Sequence, residues 1–228
     1  MDLLLLHGAI GQAGQLVPFQ NAFEKQFSEV HLFNFPGHGG KGFPVGDFSI
    51  KTFAESVLKW MDEKGIGSID IFGYSMGGYV ALYLASHYPN RVRKIVTLAT
   101  KFAWNEETSQ KEVKLLNPEK IAEKVPKFAA ALEKNHVPND WKEVLKRTGE
   151  MMLVLGKNPE LKSEDFTRIE NEVLLMVGER DTMVSVEETE AVFKQLKNVK
   201  FEIVKDTPHP IEQVEVAKVM EVVGAFFS

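Results

Sequence analysis

The chain has 228 residues, enough for one domain of ordinary size with a substantial buried core. Its formal charge of −5 comes from 32 acidic and 27 basic residues, a mild and mixed balance that argues against a nucleic-acid-binding surface and attracts no strongly anionic ligand. Cysteine is absent, which excludes disulfides, thiolate metal sites and a cysteine nucleophile and fits a cytoplasmic location.

The first eight residues, MDLLLLHG, contain a short apolar run with no basic residue before it. The run is too short for a signal peptide or a membrane span, and we interpret it as a buried strand. From this segment and from the composition we expect a cytoplasmic protein without a membrane span and without a nucleic-acid partner.

Short apolar runs alternate with helical patterns along the chain, which is typical of parallel strands joined by crossover helices. Several runs are almost continuously apolar, as expected for strands that are covered on both faces. The predicted strands are 3–6, 29–35, 69–72, 94–99, 173–177 and 200–204. The predicted helices are 17–27, 50–64, 76–88, 186–196 and 211–227. We therefore expect an α/β fold with a mostly parallel sheet of about six strands and helices on both faces.

The segment 101–169 contains no convincing strand. Asn117 can cap one helix, which Pro126 should kink or split, and a second helix is predicted from about Asp140. Because insertions of this length in compact domains tend to be functional, we interpret the segment as a helical cap between the fourth and fifth strands of a single domain, 1–228. An ordinary helical subdomain with packing duties is the alternative.

Residues 73–77 read Gly-Tyr-Ser-Met-Gly and lie between a predicted strand and a predicted helix. This arrangement is typical of a nucleophile elbow, a strained turn that lifts the serine hydroxyl above the sheet. Small residues two places before and after the serine let the helix and the strand approach closely. The sequence predicts that Ser75 is a covalent nucleophile, and a purely structural glycine turn is the alternative.

A serine hydroxyl needs a base, and the base needs an acid that orients it. Among the six histidines, only His209 follows the last predicted strand and can place an imidazole over Ser75, at the sheet edge where reactive groups gather. Asp181 directly follows the fifth predicted strand and is the predicted acid. Glu179 is its nearest rival, and Arg180 can pair with either carboxylate.

A tetrahedral intermediate needs two N–H donors. The backbone of Met76, directly after the nucleophile, is the first candidate, and Ala9, in the loop after the first strand, is the second. The side chain of His7 in that loop is more simply explained as structural than as catalytic.

A group of large side chains can line an apolar acyl pocket, although core packing explains such residues equally well: Phe102, Trp104, Met151 and Met183. The glycine-rich segment 36–42 lacks the spacing of a phosphate-binding loop, and no cluster of metal ligands stands out. We therefore expect neither a cofactor nor a metal.

Five motifs occur in a fixed order along the chain: Leu5-Leu6-His7-Gly8, Phe35-Pro36-Gly37-His38-Gly39, Gly73-Tyr74-Ser75-Met76-Gly77-Gly78, Gly178-Glu179-Arg180-Asp181, and His209 with Glu212 behind it. With these motifs, and with the nucleophile, acid and base in that chain order, the chain resembles the α/β-hydrolase superfamily, in the branch of small, lid-bearing serine esterases. The resemblance implies the α/β-hydrolase fold with a catalytic triad, an oxyanion hole and a cap.

Three features of the chain depart from the family pattern. Only two residues precede the first predicted strand, where the family usually has two further strands, so we expect six strands and not eight. Asn34 stands where an aspartate often opens the Pro-Gly-x-Gly segment, and Pro208 replaces the usual glycine before His209. The second replacement should make the His209 loop stiff.

The resemblance implies hydrolysis of a carboxylic ester of a small, largely uncharged substrate through an acyl-serine intermediate. Cleavage of a thioester or of a carbon–carbon bond on the same triad is an alternative. A ligand receptor that retains the triad is another, because a fold alone does not determine the reaction. The expected partner is a small ester-like molecule, and the sequence does not predict an oligomeric state.

Overall fold

The computed structural model describes residues 1–227. Six parallel strands form one sheet: β1 Asp2–Leu6, β2 Glu29–Phe33, β3 Ile69–Tyr74, β4 Val92–Leu98, β5 Glu172–Gly178 and β6 Val199–Val204. Their spatial order is β2-β1-β3-β4-β5-β6, so the chain first builds outwards to β2 and then crosses β1 to add the remaining strands. The predicted six-stranded parallel sheet is confirmed.

The strand β1 shows why its apolar run is continuous. Leu3 and Leu5 pack in the cluster on one face of the sheet, whereas Leu4 and Leu6 pack in the cluster on the other. Successive side chains of a strand point to opposite faces, so a strand covered on both faces must be apolar at every position.

Residues 1–227 form ten helices: α1 Val17–Phe23, α2 Ile50–Glu63, α3 Met76–His87, α4 Glu106–Lys114, α5 Pro118–Lys124, α6 Pro126–His136, α7 Trp141–Lys157, α8 Ser163–Arg168, α9 Val186–Phe193 and α10 Val216–Phe227. Residues of α2, α3 and α9 belong to the core on the Leu4 face. Residues of α1 and α10 belong to the core on the Leu3 face. No helix within residues 1–227 has both the length and the apolar character that a membrane span requires.

The helices differ from the sequence predictions at their ends. The last predicted helix, 211–227, begins only at Val216, because Ile211–Gln213 forms a separate short 3₁₀ turn and Val214 after it is extended. The predicted helices 17–27 and 186–196 end earlier, at Phe23 and Phe193.

Five helices, α4 to α8, make up the segment between β4 and β5. Pro126 separates α5 from α6, as a proline at the first position of a new helix does. The helix α4 was not predicted, because its sequence EETSQKEVK carries almost no apolar signal. Its start is marked by a reciprocal capping box between Asn105 and Thr108.

Candidate active site

Ser75 lies in the turn between β3 and α3 with φ 51° and ψ −117°, a backbone conformation that residues other than glycine rarely adopt. The turn is held on both sides: the N–H of Ser75 donates to the carbonyl of Leu98 at 2.8 Å. Its own carbonyl accepts from the hydroxyl of Thr100 at 3.0 Å and from the N–H of Gly78 at 3.0 Å. Contacts from β4 and from the loop after it therefore fix the strained serine.

The glycines of this turn are required by close packing. A Cβ on Gly73 would lie 2.5 Å from the backbone of Gly78, and a Cβ on Gly77 would overlap the backbone carbonyl of Leu6. No side chain fits at either place, so α3 can begin directly against β1 and β3 only if both positions are glycine.

Asp181 and His209 are joined by a hydrogen bond between Oδ2 and Nδ1, 2.8 Å long. The other oxygen, Oδ1, accepts from the N–H groups of Met183 and Val184, each at 2.8 Å. The Asp181 side chain is fully buried and that of His209 is 10% exposed. Since a carboxylate only accepts, we assign the proton to Nδ1, which leaves Nε2 of His209 as the basic nitrogen.

The rival carboxylate is occupied elsewhere. Glu179 is exposed, and its Oε2 accepts from the N–H of Asp206 at 3.0 Å. Arg180 pairs with Asp206, not with Glu179 or Asp181 as the sequence suggested. Asp206 is close to Arg180 because β5 and β6 are neighbours, which the sequence order does not reveal.

The loop after β1 lies against the elbow, since a Cβ on Gly8 would be 3.2 Å from Cβ of Ser75. His7 is completely buried and holds this loop: Nε2 accepts from the N–H of Phe35 at 3.3 Å, so Nδ1 donates to the carbonyl of Gly8 at 2.7 Å. Burial lowers the pKa of His7 to about 4, so the ring stays neutral. These contacts give His7 a structural place behind the loop that carries Ala9.

Two further histidines continue from His7 into the insertion. The ring centroids of His7 and His38 are 5.2 Å apart, and those of His38 and His136 are 5.7 Å apart. Nδ1 of His136 accepts from the N–H of Gly39 at 3.3 Å, so its Nε2 donates to the carbonyl of Ile10 at 3.0 Å. The helix α6 is thereby tied to the loop after β1, a role that nothing in the sequence indicated.

Ser75 and His209 line one cavity of about 330 Å³, together with Ala9 and Met76. No hydrogen bond joins Oγ of Ser75 to the His209 ring among residues 1–227. Such bonds commonly tighten only when substrate is bound. The cavity therefore brings together four of the five predicted reactive and oxyanion positions, and the fifth, Asp181, is buried behind His209.

The wall of the cavity includes three of the four predicted pocket residues, Trp104, Met151 and Met183. The fourth, Phe102, is not part of this wall. Its ring packs edge-on against Phe166, with the ring centroids 6.0 Å apart, and its N–H donates to Oε1 of Glu188 at 2.8 Å.

Much of the remaining wall comes from the insertion and was not predicted: Lys101, Glu112, Leu115, Leu116, Phe128, Leu132, Asn135 and Leu155. The side chains are mostly apolar, and Lys101 and Glu112 are the charged ones in this set. Within residues 1–227, no group of three or more histidine and acidic side chains is arranged to hold a metal ion.

Two curated proteins with similar sequences each match less than half of this chain. A poly(3-hydroxyalkanoate) depolymerase of Ectopseudomonas oleovorans is 34% identical over 98 residues, 42% of this chain and 34% of that protein. A pimeloyl-(acyl-carrier protein) methyl ester esterase of Vibrio parahaemolyticus is 36% identical over 106 residues, 45% of this chain and 38% of that protein. The match thus spans less than two fifths of the length of these relatives.

Solved structures match nearly the whole chain. A thermophilic esterase from Thermogutta terrifontis aligns with a TM-score of 0.75 at 20% identity, over 99% of this chain and 89% of that one. The enol-lactonase from Burkholderia xenovorans aligns with a TM-score of 0.74 at 17% identity, over 99% and 90%. At these identities the likeness is one of fold.

A family model described as alpha/beta hydrolase fold matches residues 3–117, which is half of the chain. The matched region runs from β1 through the elbow and into the insertion. The chain therefore belongs to the family of the alpha/beta hydrolase fold.

Proposed function

We propose that this protein is a serine hydrolase that cleaves a carboxylic ester of a small, largely uncharged substrate through an acyl-serine intermediate. One observation carries the proposal. The strained Ser75 shares a cavity with His209, and the Nδ1 proton of His209 is held by a buried carboxylate, Asp181. A nucleophile, a base and an acid in this relationship are the parts that acyl transfer to a serine needs.

The proposed reaction has two halves. Ser75 Oγ attacks the ester carbon while Nε2 of His209 takes its proton, and the same proton then goes to the departing alcohol. In the second half, water attacks the acyl-serine, His209 takes the proton of the water, and Oγ leaves with that proton. Asp181 keeps the imidazole in the tautomer that both halves require.

The negative oxygen formed in each half needs hydrogen bonds from the protein. We assign them to the N–H groups of Ala9 and Met76, which follow β1 and Ser75 respectively. Both residues line the cavity beside the serine, and the backbone of Gly8 lies so close to Ser75 that a Cβ there would be 3.2 Å from that of the serine.

The segment 101–169 is proposed to be a cap that shapes the acyl pocket. Its side chains Trp104, Leu116, Leu132 and Met151 share a cavity with Ser75. An apolar wall of this kind favours acyl chains that are apolar over most of their length, and it keeps water away from the intermediate. The similarity to a methyl ester esterase of Vibrio parahaemolyticus supports ester cleavage as the reaction.

Hydrolysis of nitrophenyl esters by Ser75→Ala tests the proposal, with Ser86→Ala on the same helix α3 as the matched control. We expect Ser75→Ala to lose nearly all turnover, because only weak catalysis survives without the nucleophile. A fluorophosphonate should label Ser75 in the wild type and in the control. Near-normal turnover of purified Ser75→Ala, or an adduct mapped to another serine, would contradict the proposal.

A further inference from the structure

The cavity contains a buried carboxylate with unused hydrogen-bonding capacity. Glu112 of α4 lines the same cavity as Ser75, and its side chain is only 7% exposed. Among residues 1–227, the one polar partner of its side chain is Lys101, with Oε1 and Nζ 3.4 Å apart in an ion pair. A carboxylate offers about four acceptor positions, and burying it without partners is costly.

Lys101 cannot satisfy Glu112 alone. Its ammonium group also donates to the carbonyl of Met183 at 3.0 Å and lies 3.9 Å from Oε2 of Glu188. One of its three N–H donors is taken by Met183, so Lys101 cannot fill the roughly four acceptor positions of the Glu112 carboxylate.

The neighbouring carboxylate, Glu188, has a structural role and serves as a comparison for Glu112. It accepts from the backbone N–H groups of Phe102 at 2.8 Å, Ala103 at 3.1 Å and Ser185 at 3.2 Å. Within residues 1–227, no backbone N–H donates to Glu112 in this way. Glu188 is therefore used by the fold, whereas the spare acceptor positions of Glu112 are open to whatever fills the cavity.

We propose that Glu112 recognises a hydrogen-bond donor on the substrate. The preferred ester then carries a hydroxyl or an ammonium group on the part that reaches α4, and a carboxylate at that position is rejected. This specificity rests on the ester hydrolysis proposed above. Two carboxylates surround one ammonium here, so the local charge is negative and repels an anionic group.

A panel of nitrophenyl esters of equal chain length, ending in methyl, hydroxyl, ammonium or carboxylate, tests the proposal. The readout is the ratio of kcat/KM for each ester to that for the methyl-terminated ester. We expect the ratios for the ammonium- and hydroxyl-terminated esters to be about ten or more, which is the gain typical of a hydrogen bond to a charged group. Glu112→Gln should lose the ammonium preference, and Glu112→Leu should lose both preferences.

Glu107→Gln is the matched control, because it removes one negative charge from an exposed position of the same helix. Its ratios should equal those of the wild type. Thermal unfolding of each variant shows whether α4 is still folded, and Glu112→Gln remains the test if Glu112→Leu does not fold.

Binding separates this specificity from the reaction. Calorimetry of the same esters with Ser75→Ala, and with Ser75→Ala that also carries Glu112→Gln, needs no turnover. The ammonium-terminated ester should bind Ser75→Ala more tightly than its methyl counterpart, and the added change should abolish the difference. Equal binding of both esters, or tightest binding of the carboxylate ester, would overturn the role of Glu112 even if all esters are hydrolysed. A binding preference without any hydrolysis would support Glu112 and overturn only the proposed reaction.

Discussion

The hydroxyl of Tyr74 donates a hydrogen bond to the backbone carbonyl of His209 at 2.9 Å, across 135 positions of the chain. Tyr74 precedes Ser75, so the turn that exposes the nucleophile also holds the loop that carries the proposed base. Burial raises the pKa of the Tyr74 hydroxyl, which therefore remains a donor in the pH range where a hydrolase works.

Tyr74→Phe removes this hydrogen bond and leaves a buried carbonyl without a donor. We expect a loss of roughly 1–3 kcal/mol in the free energy of unfolding. We also expect kcat to fall by roughly tenfold or more, with KM nearly unchanged, because the base is less well positioned. Urea unfolding and steady-state kinetics measure the two effects. Tyr83→Phe is the control, since the Tyr83 ring stacks on His87 away from the cavity. A loss of stability with unchanged kcat would reduce Tyr74 to a packing role.

Asp181→Asn should lower kcat by roughly a thousandfold, because an amide at this position favours the wrong tautomer of His209. The new side chain is isosteric and can still accept from Met183 and Val184 through its oxygen. Glu179→Gln is the control at an exposed position and should change kcat little. If Glu179→Gln were the more damaging change, the acid would have been misassigned.

Stability should depend on pH through the buried histidines His7, His38 and His136, whose pKa values are all lowered by burial. The unfolded chain takes up protons near pH 6.5, whereas folded His7 does so only near pH 4. The free energy of unfolding should therefore be highest above pH 6.5 and fall as pH drops towards 4. His7 alone accounts for about 3 kcal/mol of this loss.

Urea unfolding between pH 7.5 and pH 4.5 measures this dependence. His7→Gln should flatten the curve, while His87→Gln, at an exposed position, should leave its shape unchanged. Equal slopes for His7→Gln and the wild type would show that other groups are responsible.

Replacement of large side chains of the insertion by alanine should change which ester is preferred but not the chemistry. Trp104→Ala and Met151→Ala each enlarge the cavity, so the optimum among nitrophenyl esters should move to longer acyl chains. Both variants should still be labelled at Ser75 by a fluorophosphonate. Trp60→Ala, on the helix α2 and against Phe33, is the control outside the cavity. An unaltered chain-length profile in both cavity variants would mean that the acyl group binds elsewhere.

The sheet was predictable because a strand that is buried on both faces must be apolar at most positions. All six residues of β3 are buried, so few of them can be polar. The positions of Asp181 and His209 followed from the same reasoning, since the carboxyl ends of parallel strands meet at one edge.

The wall of the cavity was not predictable, because it depends on how five short helices pack. The helix α4 has a largely polar sequence, and only its capping box marks where it begins. Glu112 follows the buried Ser109 by three positions, which is the spacing of one helix face, but that spacing has meaning only once α4 is recognised. The contact of His136 with Ile10 joins residues 126 positions apart and leaves no local signal.

The hydrogen bonds of Glu188 to the beginning of the insertion are useful for protein engineering. Glu188 holds positions 102 and 103 through their main-chain N–H groups alone, which every residue except proline provides. These two hydrogen bonds therefore make no demand on the side chains at 102 and 103, and only the packing of the Phe102 ring against Phe166 does. A foreign segment grafted in place of the natural one can be docked by the same carboxylate, as long as Glu188 and an aromatic ring at 102 are kept.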